Sequence, residues 1–230
     1  MNEIQKNLQE GINNFNRKSV NESIKLFEKV LESDPMNPEA NYYLGLIYSK
    51  DKRYDKSVLH LKVVVDMGIS FIFTHQCRMI LGYIYYQNDE FDRAEYEFTE
   101  VLKANFNITQ VHAALSAVYY KKEMFEKAFE EASKAYTLDN FNINAKNTYG
   151  FLLCDLGKDP KKGVEILREV VRLKPDNPAY LDSLGWAYYK NGDVKAGIAS
   201  LRMALDRSKA PEIQDHYDKM AGKKTTGLRK

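Results

Sequence analysis

The 230-residue sequence predicts an all-α fold, a right-handed solenoid of six helix-turn-helix hairpins plus a C-terminal capping helix. Three observations predict it. First, a glycine or its substitute returns at Gly11, Gly45, Gly82, Ser116, Gly150 and Gly185, in steps of 34, 37, 34, 34 and 35 residues. A period of that length belongs to stacked helical hairpins. Second, other columns travel with the glycine. Three residues later stand Asn14, Tyr48, Tyr85, Tyr119, Leu153 and Tyr188. Twelve residues later comes a small side chain, Ser23, Ser57, Ala94, Ala128 or Gly197, with Gly163 one place late. Phe27, Leu61, Phe98, Ala132, Leu167 and Leu201 follow, then Val30, Val64, Val101, Ala135, Val170 and Ala204. Small columns let two antiparallel helices approach closely, and the large columns fill the space to the next hairpin. Third, the expected turns between paired helices are short and polar: Lys50-Asp51-Lys52, Gln87-Asn88-Asp89 and Asn191-Gly192-Asp193.

Taken in order, the first hairpin occupies about 4–37 and the second 38–71, where Asn37-Pro38-Glu39 places an Asn cap before a proline at the first helical position. The third, 75–108, follows three extra residues near Ser70-Phe71-Ile72-Phe73. Ser70 caps a helix that starts one turn early, and the apolar residues either plug the preceding hairpin or form a contact patch. The fourth hairpin, 109–142, carries Ser116 in the glycine column. In the fifth, 143–177, Asp159-Pro160 opens the second helix and accounts for the 35-residue step. Asn177-Pro178 opens the sixth, 178–210. Pro211-Glu212 begins a helix over 211–221 that covers the last apolar face, and 222–230 is a basic tail expected to be flexible.

These columns resemble the tetratricopeptide repeat (TPR) family over about residues 4–211. Two family columns depart. The leading tryptophan column reads Asn7, Asn41, Arg78, His112, Lys146 and Leu181, and the closing proline survives only as Pro35 and Pro175. The run Asn177 to Tyr189 looks like last repeats of bacterial members. The resemblance implies a non-enzymatic scaffold or adaptor that binds a protein or peptide partner in a groove lined by the first helices. Positions three before, one after and four after the glycine share one helical face. They give an aromatic groove of Tyr42, Leu46, Met79, Tyr83, Tyr86, Tyr120, Phe151, Trp186 and Tyr189, with Ala113 and Ala117 in its middle. Family members that hold a chaperone tail's carboxylate use Lys and Asn at these places. Here stand Leu8 with Ile12, Tyr42 with Leu46, and Met79 with Tyr83, so no such clamp is formed. Self-association through the groove or the Phe71–Phe73 patch is the second reading, and an RNA-binding helical repeat the third.

Composition narrows the function further. The net charge is +2, but Lys219, Lys223, Lys224, Arg229 and Lys230 supply +5, leaving −3 on residues 1–218. A mildly acidic body disfavours nucleic acid. Met1 to Gln5 has no basic start or apolar run, and no transmembrane segment is evident, which gives the expectation of a cytoplasmic protein without membrane insertion. Cys77 and Cys154 lie two hairpins apart, roughly 20 Å at 8–10 Å per packed layer, beyond the ~7 Å disulfide limit. Neither they nor His60, His75, His112 and His216 form a zinc-type cluster, and there is no phosphate-cradling glycine loop or nucleophile elbow. No metal, cofactor or small-molecule substrate is expected. Glu95-Tyr96-Glu97 and Glu130-Glu131 are expected on a solvated outer face.

Overall fold

The structure is a computed structural model that describes residues 2–104 and 108–222. Phe106 and the basic tail from Lys223 onward lie outside the described residues. Thirteen α-helices and no strand occur among those described. They fall in two compact units, 1–106 and 107–230.

Unit 1 holds three hairpins: α1 (Glu3–Asn16) with α2 (Val20–Ser33), α3 (Pro38–Lys50) with α4 (Tyr54–Met67), and α5 (Phe71–Gln87) with α6 (Phe91–Lys103). Unit 2 holds α7 (Thr109–Lys121) with α8 (Phe125–Leu138), α9 (Ile143–Asp155) with α10 (Pro160–Leu173), and α11 (Pro178–Lys190) with α12 (Val194–Arg207). α13 (Pro211–Met220) packs on α11 and α12. In each unit the hairpins stack in chain order, so each is a helical-hairpin solenoid. First helices touch first helices, α1 to α3 to α5 and α7 to α9 to α11.

The helix starts follow the expected caps. Asn37, Asp159 and Asn177 accept backbone N–H groups at the starts of α3, α10 and α11, each followed by proline. Ser70 accepts from the Phe73 amide and starts α5 a turn early, giving 17 residues where α3 has 13. Phe73 of the added turn stacks on Tyr42 at 4.5 Å, while Phe71 and Ile72 stay exposed. The extra turn is therefore part plug and part surface.

The small columns sit where the helices of a hairpin cross. A Cβ on Gly82 would come within 2.7 Å of the Phe98 ring. One on Gly197 would come within 2.9 Å of the Gly185 carbonyl. Where serine replaces a small apolar residue, its hydroxyl is satisfied across the crossing: Ser57 donates to the Gly45 carbonyl at 2.8 Å, and Ser116 to that of Ala128 at 2.8 Å. All six turns inside hairpins carry a left-handed residue seven places after the glycine column: Lys18, Lys52, Asp89, Glu123, Gly157 and Gly192. Only the last two are glycine, so four L-residues hold a conformation that costs them about 1–2 kcal/mol each.

One expectation is corrected. Glu97 and Glu131 do not lie on a solvated outer face. Glu97 is buried and its carboxylate meets Arg78 Nη1 at 2.7 Å; the Glu131 side chain is 12% exposed and meets His112 Nδ1 at 2.5 Å. The reason is geometric. Arg78 and His112 stand in the column four places before the glycine, and the residue 19 later in the chain faces them across the same hairpin. In the second hairpin the same places hold Asn41 and His60. Both Asn41 amide protons are taken by the Pro35 and Asn37 carbonyls, so its oxygen accepts from His60 Nδ1–H at 2.8 Å. Polar pairs thus occupy the column four places before the glycine in these three hairpins, each satisfied rather than left bare.

Candidate binding faces of the first helices

In unit 1 the first-helix residues read from sequence come from α3 and α5. Tyr42 donates its hydroxyl to Gln76 Oε1 at 2.5 Å, which with the Phe73 stack ties α3 to α5. Burial raises its hydroxyl pKa above the ordinary range, helped by Cys77 and Tyr43. Leu46 and Met79 are half-buried. Tyr83 is 50% exposed, the most open of the set, and burial, with Tyr54 nearby, raises its hydroxyl pKa above the ordinary value. Tyr86 is half-buried, its ring edge-on to Phe91 at 5.8 Å. None of these five side chains carries a charge, so the face offers ring faces and apolar edges.

In unit 2 the residues read from sequence are Tyr120, Phe151, Trp186 and Tyr189, and the structure gathers them around a side chain the sequence reading passed over. Asp155, the last residue of α9, accepts from Tyr120 Oη of α7 on Oδ2 at 2.7 Å. On Oδ1 it accepts from Trp186 Nε1 of α11 at 2.7 Å and meets Lys190 Nζ at 3.2 Å. Burial pushes the Asp155 carboxyl pKa up, but these donors outweigh it and hold the group below its ordinary value. The Tyr120 hydroxyl is pushed well above its ordinary range by burial and by its bond to Asp155. Phe151 packs edge-on to Tyr120 with centroids 5.8 Å apart, and Tyr189 lies 5.4 Å from Trp186.

Trp186 is 7% exposed, less open than a groove residue was expected to be. Its indole stacks on His216 of α13 at 4.3 Å, and His216 Nδ1 meets Asp182 Oδ1 at 2.8 Å. α13 covers it because Ile213, Met220 and Trp186 share one apolar cluster with Leu181 and Leu201. Phe151 and Tyr189 remain half-buried at the margin of that cluster. A signal for Asp155 existed: the fifth place after the glycine reads Asn16, Lys50, Gln87, Lys121, Asp155 and Lys190, so it is the one acid in a column otherwise of lysines and amides.

Both thiols are buried. Burial pushes the Cys77 thiol up to about 12, and burial with Asp155 and Asp159 pushes that of Cys154 up to about 11. Neither has thiolate character near neutral pH. No group of three metal-ligating side chains and no helix long and apolar enough to cross a membrane occurs among the described residues.

Family comparison agrees with this geometry. Two tetratricopeptide repeat models match residues 26–58 and 155–211. A TPR repeat-containing protein of Pseudomonas aeruginosa is 29% identical over 135 residues, which is 56% of this chain and 22% of that protein. The chain spans 22% to 42% of the length of the curated relatives it matches. Among solved structures, a tetratricopeptide repeat protein from Parabacteroides merdae superposes with a TM-score of 0.75 at 11% identity. That match covers 95% of this chain and 85% of the other. YrrB, described as a TPR protein with an unusual peptide-binding site, superposes with a TM-score of 0.58 at 16% identity, covering 84% of this chain and 97% of its own. The repeat columns, the stacked hairpins they build and the matched segments lead to one conclusion: residues 26–58 and 155–211 match tetratricopeptide repeats, and the chain has the fold of tetratricopeptide repeat proteins.

Proposed function

We propose that this protein is a non-enzymatic adaptor, bacterial and cytoplasmic, that binds a segment of a partner protein on its first-helix faces. TPR proteins generally bind protein partners. The observation that carries the specific reading is the uncharged face of α3 and α5. There Tyr83 is half exposed beside half-buried Tyr42, Leu46 and Met79, while the second helices α8 and α10 carry exposed charge such as Glu130, Lys134 and Glu165. Apolar side chains left in water cost free energy, and several on one face meet one ligand together. The peptide site ascribed to YrrB gives the reading a precedent in the same fold. A micromolar dissociation constant, about −8 kcal/mol, is the expected scale once the cost of association is subtracted.

The test selects binding peptides from a displayed random library on the full chain and measures them by fluorescence anisotropy. Tyr83→Ala should weaken a peptide held by unit 1, and Phe151→Ala one held by unit 2, each at least about fivefold, or ~1 kcal/mol, while Glu130→Ala leaves both unchanged. Loss of binding in Glu130→Ala with none in the other two would contradict the proposal. A second reading, self-association, is favoured by the exposed Ile69, Phe71 and Ile72. Light scattering that shows a dimer in the wild type and a monomer in Phe71→Ser with Ile72→Ser would select it.

A further inference from the structure

We propose that Asp155 is a positioning residue for the binding face of unit 2. It meets no partner itself, and it presets the rings on which Phe151 and Tyr189 rest. The proposal depends on the reading that the first-helix faces bind a partner segment. Its basis is the convergence of three donors from two helices on one carboxylate whose side chain is only 11% exposed. Tyr120 comes from α7 and Trp186 and Lys190 from α11, the helices on either side of α9. An ionised carboxylate has about four acceptor sites, and three are filled here.

Two of the three bonds fix the polar tip of an aromatic side chain, Tyr120 and Trp186. Packing alone leaves such a ring free to tilt, whereas a directional bond at its tip selects one orientation. Tyr120 and Phe151 then meet in a T-shaped pair at 77°, and Trp186 and Tyr189 in a tilted pair at 40°. The two fixed rings make the floor, and the two half-buried rings make the rim. A preset rim lowers the ordering cost that binding would otherwise carry. The Asp155 charge is balanced by Lys190 at 3.2 Å, and Lys219 Nζ lies 5.3 Å from the Trp186 ring centroid, so the carboxylate leaves no uncompensated negative charge at the rim. The partner chemistry this fits is an apolar segment that rests on Phe151 and Tyr189.

Trp186 is the single tryptophan, so its fluorescence reports the bond directly. In the full chain, Asp155→Leu should shift Trp186 emission and lower its anisotropy while helical circular dichroism at 25 °C stays at the wild-type level. A peptide selected on the wild type should bind at least fivefold more weakly. Asp155→Asn keeps an acceptor for Trp186 Nε1 and should restore the Trp186 spectrum. Tyr120→Phe, which removes one donor and no volume in the core, should weaken the peptide two- to threefold. Wild-type emission and anisotropy in Asp155→Leu would overturn the proposal, and so would wild-type affinity in both Asp155→Leu and Tyr120→Phe when Phe151→Ala has lost it. If Phe151→Ala also binds normally, the binding reading falls and this proposal with it. Should Asp155→Leu fail to fold, Tyr120→Phe and Asp155→Asn decide by the same two readouts.

Discussion

Replacing Arg78 by methionine isolates the polar pairing across a hairpin. Arg78 Nη1 lies 2.7 Å from Glu97 Oε2, with side chains 17% and 10% exposed, so the substitution leaves a carboxylate buried without its cation. Breaking such a pair costs about 3–5 kcal/mol. Arg78 also lies at the outer limit of ion-pair range from the less buried Glu100, at 4.0 Å, and retains some solvent contact, which argues for the lower end, about 3 kcal/mol. The cost depends on pH with a definite sign. Burial already raises the Glu97 pKa above its ordinary value of 4.5, with Arg78 pulling it back down. Without Arg78 the folded-state pKa rises further. A carboxyl whose folded pKa exceeds its unfolded one destabilises fully above the folded value, and the cost fades as pH falls toward the unfolded value. The gap between wild type and variant should therefore be widest at pH 7 and narrow toward pH 4.5. Urea unfolding followed by circular dichroism at both pH values measures it, with hydrogen exchange in α5 and α6 as a local check because repeat arrays need not unfold in one step. The double variant Arg78→Met with Glu97→Met should recover most of the loss. A cost under about 1 kcal/mol that does not change with pH would refute the reasoning.

Three further outcomes follow from the geometry. Gly82→Ala drives a Cβ to 2.7 Å from the Phe98 ring and should lower stability by about 1–3 kcal/mol, read as a fall in the urea midpoint; an unchanged midpoint would show that the crossing is looser than described. Glu123→Gly relieves a left-handed L-residue with φ of 59° and should raise stability by up to about 1 kcal/mol; a loss would show that the turn's own contacts outweigh its backbone. Cys77 and Cys154 should resist a thiol reagent at pH 8 in the folded protein and react at once in denaturant, since burial holds both thiols protonated; fast labelling of the native chain would contradict their burial.

Features that repeat in type were legible in the sequence, and features that repeat only in place were not. Gly45, Gly82, Ser57 and Ala94 announce the crossings because close approach admits only small side chains, whatever surrounds them. Asn37-Pro38 and Asp159-Pro160 announce helix starts because capping is local chemistry. The pairs Asn41 with His60, Arg78 with Glu97 and His112 with Glu131 share one geometry, yet both partners change identity from hairpin to hairpin. Single columns therefore look polar and solvated, and Glu97 was placed on the outside for that reason. The candidate faces were legible as a stripe on the first helices. What governs them in unit 2 was not. Trp186 is covered by α13 through an apolar cluster with Ile213 and Met220, and sequence spacing places a residue on a helical face without saying what packs over it. Asp155 is the one acid in a column otherwise of lysines and amides, and its meaning depends on donors 35 residues before and 31 after it.

The central claim, that the first-helix faces receive the partner, is tested most directly by hydrogen exchange of the full chain with and without a saturating selected peptide. The account predicts slowed exchange in the first helices of the unit that binds, either α3 and α5 around Leu46 and Tyr83 or α9 and α11 around Phe151 and Tyr189, with α4, α6, α8 and α10 unchanged. Slowing confined to the second helices, or to residues 69–72, would contradict it.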